Sequence, residues 1–300
     1  MIKIPVKQVD AFTETPLTGN PAGVVVNAEG LTDKQMQMIA REMSVPETAF
    51  VLPPSVPGAD VRIRWFTPVT EVPLCGHATV AAFHALAEEG LRGMEEIGTY
   101  AFNLETRSGV LPVNVDKTRE AIDVLFGLNV PEFIRAGQYK LDLMRILNIS
   151  LEEFENRMPI VVADNVYVPI RRLHTIFSMK PNFFAMSQFL SNRNLGGLCA
   201  FTTETVDKGS HMHSRFFAPT VGINEDPVTG SANGPLGAYL FERGEVEPVD
   251  GIATVFGEQG DVIGRKGRVS VKVRVEGTQV TGLHIGGRAV TVVEGEMIIG

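Results

Sequence analysis

RWFTPVTEVPLCGHATVAAFHAL, residues 64–86, is the stretch on which the fold turns. An extended aromatic segment runs into a Pro-containing turn, and the turn runs into Gly76-His77, where a helix starts. The chain then repeats the pattern: residues 215–240 read RFFAPTVGINEDPVTGSANGPLGAYL. Arg64 answers Arg215, Phe66 answers Phe217, Pro68 answers Pro219, and Gly76-His77-Ala78 answers Gly230-Ser231-Ala232. The second copy carries three extra residues between its Pro and its Gly. A strand–loop–helix unit that appears once in each half predicts two α+β domains of like topology, each with a central helix opened by the repeated unit.

The rest of the chain fits that frame. Its 300 residues suffice for two domains, and 44% hydrophobic with 21% charged residues is ordinary for a globular enzyme. Residues 3–12 alternate as a strand, and GVVVN follows a turn-rich TPLTGNPAG. Thr32 and Gln35 have capping-box spacing before an apolar stripe of Met36, Ile39, Ala40 and Met43, and Pro46 ends that helix. ETAFVLPP and RIRWF read as strands. The helix from Ala78 to about Glu89 is expected to present Val80, Ala81, His84 and Ala87 on one face, with Gly90 as its C′ residue. TYAFNLETRSGVLPVNV reads as two strands joined at Arg107-Ser108-Gly109, followed by a strand in AIDVLFGLNVP.

In the second half a short helix is expected near Ser150, with Glu153 at capping-box spacing, and another in NFFAMSQFLSNRN. Strands are read in MPIVVADNVYVPI, LCAFTTET, HSRFFAP, the pair VFGEQGDVIGRKGRVSVKVRV and AVTVVEGEMII. Gly234 and Pro235 suit only the first turn of the helix after Gly230. Charge concentrates at Asp116–Glu120, which sets the domains at 1–118 and 119–286, with a C-terminal strand at about 287–300 returning to the first.

Net charge is −8 without a Lys or Arg run, so no footprint for nucleic acid is expected. Two cysteines, Cys75 and Cys199, are too few for a disulfide framework and suit a reducing compartment. No apolar run approaches the ~20 residues of a membrane span, and the N-terminus lacks a signal-peptide core, so a cytoplasmic protein is expected. His77 with His84, and His211 with His213, lack a third ligand at usual spacing, so no metal is expected. Dinucleotide and Walker patterns are absent, so no cofactor is expected.

A helix that opens at Gly after a turn offers unpaired N–H groups and a positive dipole end to a carboxylate, or else the Gly only permits close packing. Glu47, in PETAFV, is either a solvated loop carboxylate or an acid/base. His77 lies in a first turn and is expected to be neutral. Asp226 fits an Asx turn and Ser231 a cap, each an alternative to a functional role.

VDAFTETPLTGNPAGVVV, PETAFVLPP, RWFTPVTEVPLCGHATVAA, RFFAPTVGINEDPVTGSANGPLGAYL and EQGDVIGRKGRVSVKV, in that order, resemble the PhzF-like (phenazine-biosynthesis) family from residue 9 onward. The resemblance implies a diaminopimelate-epimerase fold: two pseudo-symmetric domains, each a mostly antiparallel sheet wrapped around a central helix, with the active site between them and a homodimer as the usual assembly. It implies a cofactor-free isomerase like trans-2,3-dihydro-3-hydroxyanthranilate isomerase, moving a proton on a small-molecule carboxylate. By motif, Glu47 resembles the acid/base, with His77 and Asp226 as its catalytic partners. Gly76, Gly230, Ser231 and Asn20 resemble substrate contacts. Desolvation of such a Glu would suit it to take and return protons near neutral pH.

The same fold carries racemases and epimerases with two opposed cysteines. Cys75 occupies one such position, but Thr229 stands at the other, and its hydroxyl is a poor second base. Two alternatives therefore stay open: an amino-acid racemase or epimerase using Cys75, and a non-catalytic small-acid binder.

Overall fold

The computed structural model describes residues 1–300 and divides them into two units: Met1–Gly127 with Ile285–Gly300, and Leu128–His284. The first contains β1 Ile2–Ala11, β2 Asn20–Val25, α1 Asp33–Met43, β3 Glu47–Leu52, β4 Val61–Phe66, β5 Glu71–Val72, α2 Gly76–Glu88, β6 Gly98–Thr106 and β7 Gly109–Lys117, and then β8 Ile122–Leu128. The second contains β9 Ile134–Arg135, α3 Lys140–Leu147, β10 Val161–Val162, β11 Val166–Pro169, α4 Leu173–Ser178, α5 Phe183–Ser191, β12 Leu198–Thr202, β13 Met212–Ala218, β14 Ile223–Asp226, α6 Gly230–Glu242, β15 Ile252–Gln259 and β16 Gly267–Glu276. β17 Gln279–Gly287 leads back to β18 Ala289–Ile299 in the first unit.

The repeat read in the sequence is a repeat of strand pairing. In unit 1, β2 runs parallel to β3, β3 antiparallel to β4, β4 parallel to β6 and β6 antiparallel to β7. In unit 2, β11 runs parallel to β12, β12 antiparallel to β13, β13 parallel to β15 and β15 antiparallel to β16. Side chains repeat as well. Arg64 grips Glu71 with two hydrogen bonds of 2.8 Å, and Arg215 grips Glu225 at 2.9 and 2.7 Å. Each guanidinium lies 5.1 Å from the ring of the Phe two residues on, Phe66 or Phe217. A planar fork that both pairs bidentately and covers an aromatic face is a use of Arg that Lys does not reproduce.

Thr32 caps α1 with the reciprocal bonds of a capping box, and Met36, Ile39 and Ala40 pack on Phe50 and Phe66. α2 differs from its expected one-sided stripe: every residue from His77 to Ala87 is buried. An Ala-rich helix has little polar surface to expose, and α2 packs against β1, β2, β3, β7 and β18. Gly90, at φ +65°, follows its C-cap as expected. α6 runs through Pro235 to Glu242 rather than being confined to a first turn. The ring forfeits one bond, the one an amide would give the Ser231 carbonyl, and the helix continues past it, packed on β16.

Near Ser150 only a short 3-10 turn, Leu151–Glu153, forms, and the Ser side chain makes no cap bond. The charged Asp116–Glu120 stretch belongs to a hairpin turn inside unit 1, where Thr118 N–H donates to the Ala121 carbonyl and β7 pairs with β8. The chain leaves unit 1 only after Gly127.

Candidate functional site

Two clusters hold the residues singled out by motif, one in each unit. In unit 1, β2 and β3 lie parallel with Ala22 opposite Glu47, so Asn20 and Glu47 start adjacent strands at the same end. Glu47 exposes 14% of its side chain. α2 opens beside them. Cys75 is its N-cap in extended conformation, and Gly76 and His77 form its first turn. His77 Nε2 lies 3.3 Å from Glu47 Oε2, and His77 Nδ1 lies 3.5 Å from Cys75 Sγ. Asn20 is fully buried and Cys75 and His77 nearly so.

Burial pushes the His77 imidazolium down to about 4, and a hydrogen bond to the Pro21 carbonyl offsets this only in part. At neutral pH the contact with Glu47 is therefore that of a neutral ring, not an ion pair. The neutrality expected from the sequence holds, with desolvation as its leading cause. A neutral imidazole has one N–H. The Pro21 carbonyl, which can only accept, takes that N–H, and the other ring nitrogen is left as an acceptor.

In unit 2, β14 ends at the buried Asp226, and α6 opens after the extended N-cap Thr229. The Thr229 hydroxyl donates to the Asp226 carboxylate. Gln259, at the end of β15, ties this turn together. Its Oε1 accepts from Thr229 N at 3.1 Å and Asn233 Nδ2 at 2.7 Å; its Nε2 donates to the Asp226 carbonyl at 2.8 Å. Gly230 is buried, and Ser231 is exposed on the first turn. The strand end approaches so closely that a Cβ on Gly260, at φ +87°, would lie 2.7 Å from the Pro227 carbonyl oxygen.

Gln259, Asn233 and Pro21 went unread in the sequence. The signal for Gln259 was the EQGDVIGRKG motif, where a Gln precedes a Gly that only a tight backbone approach requires. Cys75 and Thr229 take the same place, each an extended N-cap whose side chain makes no cap bond to its helix. The Thr hydroxyl is committed to Asp226, while the thiol faces His77. Neither histidine pair considered for metal forms a site: His213 bonds the Glu258 carboxylate at 2.8 Å, His211 accepts the Phe256 amide at 3.1 Å, and His84 faces Glu88 at 4.0 Å. The ligand atoms of Glu47, Cys75 and His77, by contrast, all lie within 4.8 Å of one another. No helix is long and apolar enough to cross a membrane.

The family model for phenazine biosynthesis-like proteins matches residues 9–295. An uncharacterized isomerase of Clostridium acetobutylicum is 39% identical, with 97% of each chain covered. The trans-2,3-dihydro-3-hydroxyanthranilate isomerase of Pseudomonas fluorescens is 32% identical, covering 97% of this chain and 98% of its own. The crystal structure of a Bacillus anthracis phenazine biosynthesis protein of the PhzF family superposes with a TM-score of 0.87 at 36% identity, over 100% of both chains. A hydroxyproline epimerase of Agrobacterium vitis shares the fold at a TM-score of 0.60 and 14% identity, over 98% of this chain and 91% of its own. With the repeated α+β architecture and matching motifs, these similarities establish that the chain belongs to the phenazine biosynthesis-like (PhzF) family and is an isomerase.

Proposed function

We propose that this isomerase moves a proton on a small carboxylate substrate without a cofactor, with Glu47 as the acid/base. The observation that carries the reading is the 3.3 Å contact between Glu47 and a neutral, buried His77 at the mouth of α2. The Glu47 carboxylate takes a proton from a substrate carbon and becomes a carboxylic acid. The electron pair left behind delocalises onto the substrate carboxyl group, where first-turn N–H groups of a helix favour negative charge. Glu47 then returns the proton at a different carbon. His77, kept neutral beside Glu47, orients the substrate or relays protons. Asp226 is assigned with His77 as a catalytic partner, and Gly76, Gly230 and Ser231 to holding substrate, with Asn20 as a further contact. The substrate class extends the reaction named for the Pseudomonas fluorescens relative.

Thiol chemistry is the second reading, favoured by the 3.5 Å approach of Cys75 to His77. The test is deuterium wash-in from heavy water, run over small cyclic and amino-acid carboxylates including trans-2,3-dihydro-3-hydroxyanthranilate. Glu47→Gln is expected to lower exchange by roughly 10²–10⁴-fold, the usual contribution of a positioned acid/base, with carboxylate binding retained. Cys75→Ala is expected to be mild. Full exchange in the first variant would sink the Glu47 assignment, and collapse in the second would transfer the role to the thiol.

A further inference from the structure

We propose that Glu47, Cys75 and His77 form a three-ligand site for a soft divalent cation of the zinc type. The three come from two elements that α2 packing brings together: Glu47 starts β3, and Cys75 and His77 are the N-cap and first turn of α2. One carboxylate, one thiolate and one imidazole match the donors zinc prefers, whereas magnesium and calcium select all-oxygen sets. Tetrahedral coordination at ordinary zinc bond lengths of about 2.0–2.3 Å puts ligand atoms roughly 3.3–3.6 Å apart. His77 Nε2 stands 3.3 Å from Glu47 Oε2 and 3.9 Å from Cys75 Sγ, and the three ligand atoms all lie within 4.8 Å of one another, close enough for side-chain rotation to close them on one ion.

Charge favours the same ion. As the metal–sulfur bond forms, the thiol proton leaves to solvent. The carboxylate and the thiolate then carry two negative charges, which a divalent cation cancels inside a largely buried site. The partly exposed side chain of Glu47 leaves the cluster reachable from solvent and a fourth position for water. Occupation ties up both Glu47 and His77, so the ion would switch off the proposed proton transfer, a consequence that rests on the reading above.

The sequence hid this site because its third ligand is far away in the chain. Cys75 and His77 are neighbours in CGH, but Glu47 reaches them only through the packing of α2 on β3.

The experiment is a cobalt titration of the full chain, stripped with chelator and kept reduced, without substrate. One equivalent of Co²⁺ is expected to bind and give a thiolate-to-cobalt charge-transfer band, bleached by Zn²⁺ and untouched by excess Mg²⁺. Cys75→Ser should abolish the band, and Cys199→Ala should leave it. Glu47→Gln should weaken cobalt by at least the roughly 10–100-fold that loss of a mere outer-shell partner costs. Absence of the band, its survival in Cys75→Ser, or unchanged cobalt affinity in Glu47→Gln would each overturn the site. Deuterium wash-in measured with chelator present tests the acid/base reading separately, so failure of one leaves the other standing.

Discussion

Burial sets the charge of His77, and its charge has a consequence for stability. In the unfolded chain the ring titrates near 6.5; in the fold, desolvation pushes it down to about 4. Between these values the unfolded chain binds a proton that the folded chain does not. Stability therefore rises with pH across that window, is complete above 6.5, and is lost as pH falls toward 4. The shift corresponds to a few kcal/mol at most, at about 1.4 kcal/mol per unit. Replacing His77 with Gln is expected to flatten the pH dependence of urea-denaturation free energy between pH 4 and 6.5 relative to the parent chain. An identical slope in both proteins would mean that the ring is not held neutral. His77, Gly76 and Gly230-Ser231 were legible because a repeat marked them, and Glu47 because its motif resembles a family's. The Gln259 network was not, since its partners are separated by some thirty residues and meet only when β15 ends against the Asp226 turn.

The repeat continues into buried carboxylates, Glu105 and Glu258. Arg62 pairs with Glu105 across parallel β4 and β6, and His213 with Glu258 across parallel β13 and β15. Each Glu turns inward to hold a loop by its backbone. Glu105 accepts from the amides of Ser55 and Val56 at 2.6 and 3.3 Å, and Glu258 from those of Val206 and Asp207 at 2.8 and 2.6 Å. Burial works to raise Glu258, but His213 and these amides hold it down to about 2. Its contribution is present above the ordinary Glu value of 4.5 and lost as pH falls from there toward 2. Glu258 and His213 are fully buried together, whereas Arg62 and Glu105 retain exposure. Glu258→Ala should thus destabilise unit 2 by about 3–5 kcal/mol, the cost of breaking a buried pair, and Glu105→Ala by clearly less. Comparison of denaturation midpoints checks this, and equal shifts would show that burial does not separate the two copies. Local pattern gave α1 and the β6–β7 hairpin, whose caps and turn residues act at short range. It missed α3, despite buried Leu143, Ile146 and Leu147 at helical spacing, because no N-cap residue announces it. It missed β17 because glycines interrupt its alternation. One of them, Gly286, is required by the fold: a Cβ there would meet the Val124 carbonyl at 1.7 Å.

Unit 1 is built from two chain segments, and the second returns from the far end of the sequence. β18 lies antiparallel to β1 along its whole length, from Ile2 opposite Ile299 to Ala11 opposite Ala289. On its other edge β1 pairs with β2, so β18 makes β1 an interior strand. Side chains fasten the segment further. Thr291 donates to Glu88 at the end of α2, Lys7 reaches Glu88, Glu89 and Glu294, and Arg288 bonds both Glu14 and Asp123. The helix whose first turn carries Gly76 and His77 is therefore anchored at its other end by residues more than two hundred positions away. A truncation after Gly287 removes none of the proposed site residues. It does leave Ile4, Val9 and Ala11 on an open strand edge and strips a ladder in which each bond contributes about 0.5–1.5 kcal/mol. Summed over the ladder, that loss rivals the roughly 5–15 kcal/mol that holds a domain folded. The truncated chain is expected to lose cooperative unfolding of unit 1, to associate through the exposed edge, and to show no substrate exchange. Circular dichroism during urea titration, with size-exclusion chromatography, measures both effects. A monomeric truncation with an unchanged first transition would show that β1 and α2 are held without the C-terminal strand, and that the first 127 residues suffice for their own unit.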